Sequence, residues 1–275
     1  MSEQPGWQLD RASAELYERF LVDRVTSIWA RDLIGRVGLR PAARVLDVAC
    51  GTGVAARLAA AKVGDGGRVA ALDVNRGMLA VARSLPAPEG APIEWHEGSA
   101  DALPFGEGEF EAVLCQLGLQ FFPRRQAALR EMRRVLGTPG RIGTSVYTSI
   151  DRNPAANALA EAVDGHLGEG ASEAKRSEHS LADPDEVSRL FDAAGFAGAQ
   201  LETVTQTVRF PSVERWIEIQ FVATPLAALV ADRDPTQRDK IVGLVSADVG
   251  EALAAFASDD GFAFPQEAHV VVANC

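Results

Sequence analysis

A chain of 275 residues with 47% hydrophobic and 24% charged side chains has the balance of a globular protein, long enough for one large α/β domain or a core domain with a modest cap. No apolar run approaches the roughly 20 residues of a membrane span, and the polar opening Met1-Ser2-Glu3-Gln4-Pro5-Gly6 lacks a signal peptide's basic-then-apolar profile, so a cytoplasmic location without a membrane partner is expected. The formal charge of −11 argues against nucleic acid as a partner, because phosphate backbones are neutralised by Lys and Arg.

Apolar residues at helical spacing (Leu16, Phe20, Val25, Ile28, Trp29, Leu33) predict a helix from Leu9 to about Val37, punctuated by Gly38 and Pro41. Arg44 to Ala49 then reads as a buried strand, followed by a glycine turn and an Ala-rich helix over Val54 to Val63. The alternation continues with strands at Arg68 to Asp73, Ile93 to Glu97, Phe110 to Gln116 and Arg141 to Tyr147, and helices at Gly77 to Leu85 and Arg124 to Leu136. Strands alternating with helices imply right-handed crossovers and a mostly parallel sheet covered on both faces.

The rhythm breaks at Thr148. Residues 149–180 are polar and Ala-rich without a strand signal, Asp183 to Ala194 reads as a helix closed by Gly195, and Gln200 to Phe210 as a strand. A helical stretch from Pro211 to Ala257, with Trp216, Ile219, Phe221 and Leu226 on its apolar face, precedes a last strand from Glu267 to Asn274. The expected fold is therefore α/β and Rossmann-like: seven strands, mostly parallel, helices on both faces, and a helical lid. Cys50, Cys115 and Cys275 have no metal-ligand spacing, so neither a metal site nor a disulfide framework is expected. Arg124, Arg125, Arg130, Arg133 and Arg134 read as a solvated helix face.

The chemistry concentrates in Val45-Leu46-Asp47-Val48-Ala49-Cys50-Gly51-Thr52-Gly53, where a strand carrying a carboxylate runs into a Gly-x-Gly turn and a helix. Glycines there allow close ligand approach and unusual φ values, and ligands of open α/β sheets bind beyond such strand ends. Gly51 to Ala56 also satisfies the dinucleotide pattern G-x-G-x-x-G/A. Three acids favour S-adenosylmethionine over NAD. Asp47 precedes the glycines, where a pyrophosphate has no use for a charge; Asp73 ends the second strand, where it can accept both ribose hydroxyls of either cofactor; Asp101 follows the third, within reach of an adenine amino group.

These residues resemble the class I S-adenosylmethionine-dependent methyltransferases, in the branch like the ubiquinone/menaquinone-biosynthesis C-methyltransferases. The resemblance runs from about Tyr17 to the chain's end and is densest over 44–147. Leu46 to Gly53 is similar to the family's first motif, Leu72 to Leu79 to its second, Gly98 to Phe105 and Phe110 to Val113 to the next two, and Glu131 to Leu136 to the helix before the fifth strand. Two departures stand out: Ala49 replaces the first glycine of the fullest motif, and Gly137-Thr138-Pro139-Gly140 stands where the family has a Pro-Gly-Gly turn. The resemblance implies that Asp47, Ala49, Gly51 and Gly53 line the methionine part of the cofactor and that Asp73 holds the ribose. It implies that Met78 beside Val74 packs on the adenine, that Asp101 and Ala102 read its edge, that Gln116 lies near the sulfonium, and that Tyr17 closes over the cofactor. It further implies an antiparallel last strand and one methyltransferase domain over 1–275, with lid segments 1–39, 148–182 and 211–262 around a core of 40–147, 183–210 and 263–275.

Methyl transfer from a sulfonium asks mainly for positioning and water exclusion, with a base when the acceptor is a hydroxyl or an enol carbon. His166 and His179 fall in the first lid insertion and are the candidate bases, with Gln116 to orient the acceptor, although for either histidine a surface or structural role outweighs catalysis. His96 and His269, on strands, read as structural. Trp29, Trp216 and Phe221 suggest an apolar or aromatic small-molecule acceptor, for O- or C-methylation. Two alternatives stay open: a cofactor-binding domain of this type that does not methylate, and an NAD(P)-dependent oxidoreductase. The latter is weakened because Tyr17 and Tyr147, the two tyrosines, have no lysine at Tyr-x-x-x-Lys spacing. The oligomeric state is open, a homodimer among the options.

Overall fold

The computed structural model describes residues 8–196 and 198–275; the Met1 to Gly6 segment lies outside the described residues, as does the start of the 1–39 lid segment. The sheet is built from β1 (Arg44–Val48), β2 (Arg68–Asp73), β3 (Ile93–Glu97), β4 (Phe110–Gln116), β5 (Leu136–Tyr147), β6 (Gln200–Phe210), the two-residue β7 (Ala257–Ser258) and β8 (Gly261–Asn274). Their order is β3-β2-β1-β4-β5-β8-β6, with β7 beside β8. Pairings among β1 to β5 are parallel and those of β8 antiparallel. The order reverses between β1 and β4, which opens a crevice beyond their carboxyl ends.

Alternation along the strands assigns side chains to two faces. On one, Val45, Val69, Ala71 and Leu114 pack against α2 (Ser27–Val37) and α3 (Val54–Val63) through Leu33, Val37, Ala59 and Val63. On the other, Leu46, Val48, Leu72 and Val113 meet α5 (Arg125–Val135) and α8 (Pro184–Ala193) through Leu129, Met132 and Phe191. Burying both faces is why the central strands β1, β2 and β4 are largely apolar, whereas the edge strand β3 carries Glu94, His96 and Glu97.

A third core lies outside these layers. Here α6 (Pro154–Leu167), α9 (Val213–Ala223) and α10 (Pro235–Ala252) pack with the far ends of β6 and β8, through Leu159, Trp216, Val245, Phe210, Phe262 and Phe264. The segment 149–180 also holds α7 (Glu173–Ser177), while α4 (Arg76–Ser84) follows β2. The opening helix is continuous from α1 (Arg11–Tyr17) through a π-helical stretch, Glu18–Thr26, into α2.

Three boundaries differ from the sequence expectation. The last strand starts at Gly261 rather than Glu267, because 262–266 pair with 206–210 of β6 after β5 has ended. The fifth starts at Leu136, since that residue pairs with Phe110 before the register jumps to Ala112 and Arg141, so Gly137 to Gly140 bulge within the strand. The helical stretch expected over 211–257 is broken at Thr224 and Asp234, which cap the segments that follow by accepting the amides of Leu226 and Gln237.

Candidate active site

The turn after β1 places Ala49, Gly51 and Gly53 at φ 58°, 55° and 87°, and within it the Cys50 amide donates to the Leu72 carbonyl and the Gly53 amide to the Cys50 carbonyl. Its two glycines serve different ends. A Cβ on Gly51 would meet nothing within 4 Å, and Gly51 lines the main cavity, so that space is where a ligand approaches. A Cβ on Gly53 would stand 2.3 Å from the Trp95 ring, so this glycine is required by β3 rather than by a ligand.

Asp73 closes β2 beside the turn. One carboxylate oxygen accepts the Gly51 amide at 2.7 Å and the other the Asn75 amide at 2.7 Å. Burial still pushes its carboxyl above the usual range, outweighing those bonds. Asn75 in turn caps α4 by accepting the Met78 amide. Asp47 lies deeper, buried on β1 and off the cavity wall, where desolvation drives it up to about 7 despite Arg57. Arg57 ties this floor to the opening helix, donating to the Thr52 carbonyl at 2.6 Å and to Glu18 at 3.0 Å.

The crevice has two lobes that share Ala49, Asp73, Val74 and Phe122. The smaller is walled by Gly98 to Asp101 and Arg124. Asp101 pairs there with Arg124 at 2.6 Å, and the Ser99 hydroxyl followed by that guanidinium holds its carboxyl below the usual range. Ala102 is exposed and off this wall, its amide donating to the Ser99 carbonyl. The larger lobe is a cavity of about 220 Å³ that takes in Tyr17, Gly51, Met78 and Gln116 from the sequence-predicted set. Burial raises the Tyr17 phenol, which stays protonated at neutral pH. Val74 exposes its apolar side chain where the lobes join.

An adenosyl ligand with a polar tail fits this floor. Gly51 leaves room for it, Val74 and Met78 offer apolar contact, and Gln116 has a buried side-chain nitrogen without a hydrogen-bond partner among the described residues.

Beyond the floor the same cavity runs under α6, α7 and α9, and here the candidate bases part. His179 is buried on the cavity wall with Nδ1 2.7 Å from the Thr148 carbonyl. A carbonyl only accepts, so Nδ1 carries the proton and Nε2 is the basic nitrogen. Desolvation holds its pKa below the ordinary histidine value, which leaves the ring neutral. His166 does not reach the cavity: it points outward from α6 and pairs with Asp248 at 2.7 Å. It stands on the same stripe of α6 as Ala155, Leu159 and Val163, but at the helix's carboxyl end, where that stripe has run past the cavity and is exposed.

Sequence reasoning missed Lys175 and Glu178, a buried ion pair at 2.7 Å in the cavity wall, and with them Tyr147, Gln120 and Gln220. Lys175 and Glu178 stand in a stretch read only as polar, and a charged pair in such a stretch carries no local sign of burial. Tyr147, ending β5, tilts over His179 with ring centroids 5.3 Å apart, a position legible from its place at a strand's carboxyl end. Of the aromatics expected in the pocket, Trp216 lines it, whereas Trp29 and Phe221 are buried in the cores.

Residues 45–140 match the family model described as a methyltransferase domain. A ubiquinone/menaquinone biosynthesis C-methyltransferase of Hahella chejuensis is 39% identical over 117 residues, which is 42% of this chain and 47% of that protein. The matched stretch thus spans about half the length of that relative. Among solved structures, phosphoethanolamine N-methyltransferase 2 of Haemonchus contortus shares the fold with a TM-score of 0.59 at 17% identity, covering 96% of this chain and 57% of its own. The YcgJ protein of Bacillus subtilis does so with a TM-score of 0.57 at 19% identity, over 90% and 97%. No helix among the described residues is long and apolar enough to cross a membrane.

Proposed function

We propose that the chain is a class I S-adenosylmethionine-dependent methyltransferase, a reading supported by the match of residues 45–140 to a methyltransferase domain, and that it methylates a small apolar or aromatic metabolite, on oxygen or carbon. The cofactor is S-adenosylmethionine, in place of the nicotinamide alternative. The observation that carries the acceptor reading is the continuity of the cavity, which runs from Gly51 and Asp73 to Tyr147, His179 and Trp216 without a partition. We assign residues 148–182 and 211–262, with the opening helix, as the lid of a single domain.

Bound S-adenosylmethionine supplies a methyl group already activated by a sulfonium. The chain's own share is to hold and to shield. Asp73, fixed by two backbone amides, accepts the ribose hydroxyls; Val74 and Met78 flank the adenine; Asp101 turns its carboxylate to the adenine edge. Asp47 acts from beneath the turn, through the backbone, rather than by touching the ligand. Gln116 and Tyr17 face the reacting end, and the packed aromatic residues of the third core keep water out. Neutral His179 takes a proton from the acceptor at Nε2 where the acceptor is a hydroxyl or an enol. Calorimetry with S-adenosylhomocysteine, followed by transfer of radiolabelled methyl to a library of aromatic and apolar acceptors, tests the reading. Cofactor binding with no methylated product across the library would overturn methylation in favour of a binding role.

A further inference from the structure

One cluster in the chamber is unused by this account. Lys175 and Glu178 are each less than a tenth exposed, yet both reach the cavity wall, next to His179. Burying two charges costs several kcal/mol even when they are paired. Lys175 has three N–H donors, and its ion-pair partner among the described residues is the one Glu178 oxygen. The segment that holds the pair is braced at both ends. Asp164 accepts the Ser172 amide at 2.8 Å and hydroxyl at 2.7 Å, and pairs with Arg176 at 3.1 Å. At the other end His179 is held by the Thr148 carbonyl. The charged and titratable groups facing Lys175 are thus Glu178 and His179 on its own segment, with Tyr147 and Tyr17 across the chamber, each within electrostatic range of Glu178.

We infer that this cluster selects an acceptor with an ionisable hydroxyl, a phenol or an enol, whose oxygen takes the spare N–H groups of Lys175 while His179 Nε2 receives its proton. The inference rests on the proposed methyl transfer and narrows its substrate class. A purely apolar acceptor would strip water from the Lys175 ammonium and return no hydrogen bond, a penalty that a hydroxyl oxygen removes. In the proton step the O–H bond breaks, an N–H bond forms at Nε2, and the electron pair stays on oxygen, beside the ammonium. Trp216, Leu21 and Phe264 supply apolar surface for the rest of the molecule.

The test is optical. Nitrophenols, each matched with the nitroarene lacking the hydroxyl, are titrated into the full chain saturated with S-adenosylhomocysteine, about one pH unit below each phenol's own pKa. The expected result is tighter binding of the phenols than of their partners, with the phenolate absorption band growing on binding. In Lys175→Met the band is lost and phenol affinity falls about tenfold to a hundredfold, the effect of one charge-assisted bond. Lys175→Arg restores part of both, and the paired variant Lys175→Met with Glu178→Gln, which leaves no buried charge unmatched, behaves as Lys175→Met does. Phenols that bind no better than their deoxy partners, or a phenolate band that survives in the folded Lys175→Met protein, would overturn the inference. Absence of S-adenosylhomocysteine binding by the unaltered chain would instead sink the methyltransferase reading on which it stands.

Discussion

Adding one methyl group to each glycine of the β1 turn should have opposite consequences. In Gly53→Ala the new Cβ lies 2.3 and 2.6 Å from two carbons of the Trp95 ring, at φ 87°. The left-handed conformation costs an alanine about 1–2 kcal/mol, and moving a packed indole adds about 1–3 kcal/mol. A loss of roughly 2–5 kcal/mol is a large share of the roughly 5–15 kcal/mol that holds a domain folded. At about 2–4 °C per kcal/mol for a chain near this size, Tm falls by roughly 4–20 °C. In Gly51→Ala, at φ 55° with open space around the Cβ, only the conformational cost of about 1–2 kcal/mol applies. That Cβ occupies ligand space, and S-adenosylhomocysteine affinity drops about tenfold or more. Scanning calorimetry of both variants, with and without S-adenosylhomocysteine, reads the two quantities together. The reasoning is refuted if Gly53→Ala melts within about 2 °C of the parent, or if Gly51→Ala binds the ligand as the parent does. As an internal check, Trp95→Leu should relieve the steric part of the Gly53→Ala penalty, giving a coupling of about 0.5–3 kcal/mol in the double-mutant cycle.

Asp73→Ala should weaken S-adenosylmethionine binding by about 1.5–3 kcal/mol through lost charge-assisted bonds, and an unchanged Kd by calorimetry in a folded variant would contradict the ribose assignment. Asp47 holds its proton up to about pH 7 in the fold but only to about pH 4 when unfolded. Its contribution to stability is therefore complete below about pH 4 and lost as pH rises through about 7. Urea unfolding of the parent and of Asp47→Asn should diverge across that window; parallel curves would show that Asp47 keeps an ordinary pKa. His179→Gln should cut methyl transfer by about 10²–10⁴ if Nε2 is the base, and the acid limb of the parent's rate profile should fall below the usual histidine pKa, since burial depresses it. An acid limb at or above that value would argue against His179. His166→Asn, which breaks only an exposed contact with Asp248 outside the cavity, should leave the rate within about twofold.

Sequence alone determined the features that depend on near neighbours. The strand at 44–48 and its glycine turn, the acids at 73 and 101, and the α3 and α5 stripes are written in periods of two and 3.6 residues, and each recurs in the structure within a residue or two. The expected seven-strand sheet was legible for the same reason, as was the place of Gln116 at the end of β4. Only the tertiary structure decided which distant residues meet. It made Trp95 the neighbour that requires Gly53, withdrew Asp47 from the wall, and turned His166 outward while turning His179 in. It also brought Lys175 and Glu178, from a stretch with no apolar signature, into the same chamber as Gly51. A local pattern records which side of an element is buried, whereas the partner waiting on that side is chosen by the packing of the whole chain.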